Sequence, residues 1–168
     1  AKHEIRLIGA WVTTNGDLTM LGGTMTLNDD VTTATDGNIV LTTAATMTMA
    51  AGRVITSAAL MRVSAGIVVS GAAEMKSVGA MSLSGPWRAT SGKLKLDSGS
   101  NISLHSDLTT VTSGELDIRA TDVLQLGDQR TLTSIGAMII HANSITSTKA
   151  TALITTGALN ITGPMQTY

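Results

Sequence analysis

The chain contains no cysteine and no phenylalanine, and Trp11, Trp87 and Tyr168 are its whole aromatic set. Without cysteine there is no disulfide, no thiol nucleophile and no cysteine-ligated metal. The same absence leaves the compartment open. Aromatic side chains supply much of the volume of a compact core. With aromatics at 2% of residues, the interior must be built from medium aliphatics, which suits a narrow tube. Charge is also scarce, at 14% of residues with a net charge of −1. The 11 basic residues are spread along the chain. A nucleic-acid partner needs clustered Lys and Arg, so none is expected. No run of about 18 apolar residues could span a membrane as a helix. No charged-then-apolar signal segment opens the chain.

At 168 residues the chain suits one domain, and with 43% hydrophobic residues it has enough apolar side chain for a sizeable core. Threonine and serine are abundant, and glycine counts 17. Threonine fits strands through its β-branch, and glycine supplies corners. Between Asn15 and Gly52 the chain reads NGDLTM, GGTMTL, DGNIVL and ATMTM. Each unit is a short strand with two apolar residues on one face, as in Leu18/Met20 and Met25/Leu27, because strand side chains alternate faces.

Internal repetition organises the rest. Leu18, Ile39, Leu60, Met81, Ile102, Leu124 and Ile145 follow at spacings of 21, 21, 21, 21, 22 and 21. A second series runs Met25, Met47, Val68, Trp87, Leu108, Leu132, Leu153. A third runs Val31, Val54, Met75, Leu94, Leu116, Met138, Leu159. Gly71, Gly92, Gly114, Gly136 and Gly157 keep nearly the same clock. Three short strands per period of about 21 residues describe a three-sided coil, and about seven coils fit. The expected fold is all-β: a parallel β-helix, or β-solenoid, over residues 13–163. An N-terminal cap or docking strand at 1–12 and a C-terminal tail at 164–168 flank it. Pro86 and Pro164 belong at corners or ends, since proline lacks the N–H a ladder needs. Trp87 is expected outside an aliphatic tube.

Several groups have the composition of a site. Asp29, Asp30 and Asp36 suggest a calcium-holding turn, but the nonapeptide of calcium-binding rolls is missing, so a solvated turn is preferred. His3, His105 and His141 show no metal-ligand spacing. Glu74, Asp97, Asp107, Glu115, Asp117, Asp122 and Asp128 are the acids outside the N-terminal third. Of these, Glu115 and Asp117 share a strand face, the arrangement of a general acid–base pair on a sugar-cleaving β-helix. A polar outer face explains them equally well, and with Trp11, Trp87 and Tyr168 as the whole aromatic set, the scarcity of aromatics for sugar stacking weighs against catalysis. Thr-Met-Thr at 24–26 and 46–48 hints at an ice-binding threonine array, but the next repeat reads GIVVS. The nine methionines occupy strand positions that also hold Leu or Ile, as core filler. The expectation is therefore no catalytic, cofactor or metal site, no cofactor, and no enzymatic activity.

LNDDVTTATDGNIVLTTAATMTMAAGRVIT and SGKLKLDSGSNISLHSDLTTVTSGELDIRATDVLQLG resemble the degenerate repeats of large bacterial exoproteins, the filamentous-haemagglutinin-type adhesins. The resemblance covers residues 12–163. It implies a right-handed parallel β-helix, an extracellular or bacterial cell-surface location, and a role as stalk, filament or adhesive surface. Partners would be a host surface or further copies of the chain, head to tail or side by side. The segment TTGALNITGP is similar to the ends of phage-tail and type VI-like injection spikes, in which three chains intertwine. That alternative implies a homotrimer in a virion or injection apparatus. A clock set by the whole coil favours a tube closed by one chain.

Overall fold

A computed structural model describes residues 3–167. Their regular structure is twenty-four short strands and no helix. Every third strand joins the same sheet, so the chain winds through three eight-stranded sheets in turn. Sheet A begins with Glu4–Leu7, sheet B with Trp11–Thr13 and sheet C with Leu18–Gly22. One A, one B and one C strand make a coil, giving eight coils. Coil 5, for example, comprises Trp87–Ala89, Leu94–Ser98 and Ile102–Leu104. All neighbouring strands within a sheet are parallel. Each coil thus hydrogen-bonds to the coils on either side, which satisfies its backbone N–H and C=O groups. At about 4.8 Å per coil the column is about 35 Å long.

Inward positions form ladders. On sheet A, Ile5, Met25, Met47, Val68, Trp87, Leu108, Leu132 and Leu153 stand in one register, as the second sequence series proposes. On sheet C the ladder is Leu18, Ile39, Met61, Met81, Ile102, Leu124, Ile145 and Met165. Met61 stands in it where the sequence reading placed Leu60. On sheet B, Val31, Ile55, Met75, Leu96, Ile118, Ile140 and Ile161 oppose one another. The third sequence series departs from this ladder at Val54, where Ile55 is the rung, and after Met75 it follows the adjacent ladder of Leu94, Leu116, Met138 and Leu159. Each fully buried rung contributes about 1.5–3 kcal/mol relative to exposure.

Trp87 is inside the column, 2% exposed, which corrects the expectation that it lies outside. The neighbouring ladder makes room. That ladder reads Leu7, Leu27, Met49 in the first three coils, then Ser70, Ala89, Thr110, Ser134. Small side chains beside Trp87 leave space for the indole, and its N–H donates to the Ser70 hydroxyl at 2.9 Å.

Buried hydroxyls mark the corners. Thr33 donates to the Gly37 carbonyl at 2.6 Å, and Ser57 of the next coil to the same carbonyl at 3.1 Å. Thr110 and Ser134 share the Gly114 carbonyl in the same way, at 2.7 and 2.8 Å. These hydroxyls pair corner carbonyls, and the Gly114 carbonyl also accepts from the Gly136 N–H at 2.8 Å. The close approach of coils at these corners requires glycine: a Cβ on Gly37 would lie 2.1 Å from the Gly16 carbonyl oxygen. Pro86 lies at a corner between Ser84 and Trp87, and Pro164 between Thr162 and Met165.

The stack reaches further at both ends than residues 13–163. Glu4–Leu7, within the stretch expected as a cap or docking strand, pairs with Thr24–Leu27 as the first strand of sheet A. Met165–Thr167, within the expected tail, pairs with Ile145–Ser147. These two additions raise the count from about seven coils to eight. Tyr168, the last residue of that tail, and Ala1 and Lys2 lie outside the described residues.

Candidate functional site

Charge is concentrated on one face. Among strand residues, Arg53, Glu74, Lys76, Lys95, Asp97, Asp117 and Arg119 all belong to sheet B. Sheet A strands hold Glu4, Arg6 and Arg88, and sheet C strands hold Arg62 alone. On sheet B the strands AEMKS, LKLDS and LDIRA stack in register, so Glu74, Lys95 and Asp117 form one outward column and Lys76, Asp97 and Arg119 the next. Sign alternates along each column and across each strand, giving a checkerboard three coils tall. Opposite charges on adjacent strands attract, and like charges directly opposite would repel.

The contacts follow the checkerboard. Lys95 reaches Glu74 at 2.8 Å and Asp97 at 3.2 Å; Lys76 reaches Glu74 at 3.3 Å. Arg119 donates Nε and Nη2 to the two Asp117 oxygens, at 2.9 and 3.2 Å. Lys93, at the preceding corner, bridges Glu115 at 2.6 Å and Asp117 at 2.7 Å. Asp117 is the most enclosed member, its side chain 1% exposed. Below the checkerboard, Arg53 lies 3.5 Å from Asp29 and 3.9 Å from Asp30.

These neighbours set the ionisation. Burial pushes the Asp117 carboxyl up, but the hydrogen bonds from Arg119 and Lys93 outweigh it, and its pKa falls below the usual carboxylate range. Glu74 is likewise lowered: burial opposes, and Lys95 and Lys76 together prevail. Burial pulls Lys93 down, yet its bonds to Asp117 and Glu115 raise it overall. The Glu74 hydrogen bond is the chief reason that Lys95 is raised. Every one of these groups is therefore held in its charged form.

The structure brings Glu115 and Asp117 together on one ammonium, with Lys93 between them. A general acid needs a carboxyl whose pKa is raised toward the working pH; Asp117 is pushed the other way. The other weighed residues do not converge. Asp29 and Asp30 lie at the opposite end of Val31–Thr33 from Asp36. Asp29 accepts from the Gly9 N–H at 2.6 Å and Asp30 from the Val54 N–H at 3.0 Å. His3 precedes the first strand, His105 follows Ile102–Leu104, and His141 ends Met138–His141. Asp107 accepts from the Thr131 N–H at 2.9 Å. Asp122 accepts from Ser100, and Asp128 pairs with Lys149 at 2.7 Å. Among the described residues, no three His, Cys, Asp or Glu side chains gather as a metal site. Thr26 and Thr48 do stack outward on sheet A, but Val69 and Arg88 follow them before Thr109 and Thr133, so the threonine array is broken after two coils.

Two grooves open on the B side. The first, about 210 Å³, is lined by Gly52, Ala72 and Ala73, and its cations Arg53, Lys93 and Lys95 are already paired. The second, about 390 Å³, lies over Asp97, Arg119, His141 and Asn143. Sequence reasoning treated the acids of this face singly and missed their basic partners. Aligning EMK, KLD and DIR at the coil period would have shown the alternation. No family model, curated protein or solved structure matches the chain.

Proposed function

We propose that the chain is a structural β-solenoid of a bacterial surface or extracellular filament. In this reading the column is a stiff spacer, and its ends or one lateral face mediate assembly or adhesion. The observation that carries it is an aliphatic column that one chain closes by itself. Interior rungs such as Leu132, Met138 and Ile145 are at most 2% exposed. At the last coil the equivalent Leu159 and Met165 are 48% and 54% exposed, and at the first coil Trp11 is 46% exposed. A further coil in the same register would cover them and pair the open strand edges. The pairing of Lys93, Glu115 and Asp117 with one another supports a mechanical rather than a chemical use of the charged face.

An intertwined spike closes its core only between three chains, whereas here all three sheets come from one. Sedimentation tests the choice. The reading expects a folded, elongated monomer at low concentration that associates reversibly as concentration rises, and expects Met165→Lys to weaken that association. A trimer that comes apart only on unfolding would overturn it in favour of the spike.

A further inference from the structure

The checkerboard stops at Arg119. The next residue in its column is His141, and the column beside it passes from Asp117 to Ile139. No carboxylate stands on the far side of Arg119, where the alternation calls for one. The second groove lies at that place.

We propose that this groove binds the carboxylate of an acidic sugar, a uronate. The Arg119 guanidinium is fixed by its two bonds to Asp117, which leaves Nη1 uncommitted. The side chains of His141 and Asn143 make no hydrogen bond or ion pair among the described residues. Three solvent-exposed polar groups with free hydrogen-bonding capacity therefore line one concave surface. Arg119 and His141 are about 4.8 Å apart along the column, a span that a carboxylate can bridge. An arginine held in plane suits a carboxylate's two oxygens.

The rest of the lining selects the kind of anion. Asp97, one coil below Arg119 and paired with Lys95 at 3.2 Å, keeps an oxygen that accepts hydroxyl donors. The Asn143 amide both donates and accepts. One carboxylate beside several hydroxyls meets these demands; a phosphate dianion or a run of acidic side chains does not. The site does not depend on whether the column serves as a stalk.

The test uses the whole chain and D-galacturonate, followed by nuclear magnetic resonance. There are 3 histidines, so the His141 ring signal is assigned by its loss in His141→Ala. Saturable shifts of the His141 ring and Asn143 amide, with half-saturation at about 1 mM and no change at His3 or His105, are expected. Galactose and acetate should each bind about tenfold more weakly. Asn143→Ala and Arg119→Lys should weaken binding by a similar factor with circular dichroism unchanged. Arg119→Lys keeps the charge but loses the planar fork. The proposal is overturned by any of three results. These are no saturable shift up to about 50 mM, acetate binding as well as galacturonate, or equal shifts at all three histidines. If Arg119→Lys perturbs the fold, Asn143→Ala alone decides.

Discussion

The indole N–H of Trp87 donates to the hydroxyl of Ser70, one coil below, at 2.9 Å inside the column. The two residues are complementary in size as well as in polarity. Ser70 replaces the Met and Leu of earlier coils in its ladder, and the volume it gives up is where the indole fits.

Removing either partner should therefore be costly. Trp87→Ala leaves a large void and should lower stability by about 3–5 kcal/mol. Ser70→Ala keeps the packing but orphans a buried donor, at a cost of about 1–3 kcal/mol. Denaturant melts followed by circular dichroism measure both. In a Trp11→Phe background the remaining emission should be blue-shifted and poorly quenched by acrylamide. Emission typical of exposed tryptophan would place Trp87 on the surface instead.

Asp117 should behave as the keystone of the charged face. Asp117→Asn leaves Lys93 and Arg119 facing a neutral amide at an enclosed position, and should cost about 2 kcal/mol at neutral pH. In a double-mutant cycle with Lys93→Met the two losses should be clearly less than additive. Strict additivity would mean that the 2.7 Å contact contributes nothing.

The same pairs set the pH range. Asp117 and Glu74 have lowered pKa values when folded. Their stabilisation is complete above the unfolded carboxylate value of about 4 and fades as pH falls through the folded values. Lys93 and Lys95 are raised. Their stabilisation is complete below the unfolded lysine value of about 10.4 and is lost as pH climbs through the folded values. The melting temperature should be level between about pH 5 and 9.5 and fall on both sides. The acid limb should be shallower in Asp117→Asn. An acid limb identical to that of the unaltered chain would show that other carboxylates govern it.

Much of the architecture was legible because period and strand pattern reinforce each other. The series from Met25 to Leu153 matches the sheet A ladder rung for rung. Errors arose where two apolar residues compete for one rung. Leu60 and Met61 are adjacent, and only the backbone shows that Met61 faces inward. Leu94 and Leu96 both face inward, so apolarity does not say which of them opposes Met75. Trp87 was misplaced because one residue's volume was judged without the small residues that stand beside it one coil away. The charged face stayed hidden for a related reason. Glu74, Lys95 and Asp117 are 21 and 22 positions apart, and their relationship exists only once the coils are stacked.

Neighbouring coils are held by three rows of hydrogen bonds side by side, while successive junctions follow one another along the axis. Tension applied at the two ends is thus shared threefold at each junction, and every junction bears the same total. Lengthening such a column adds about 4.8 Å of reach per turn and leaves the force it withstands set by its weakest junction alone.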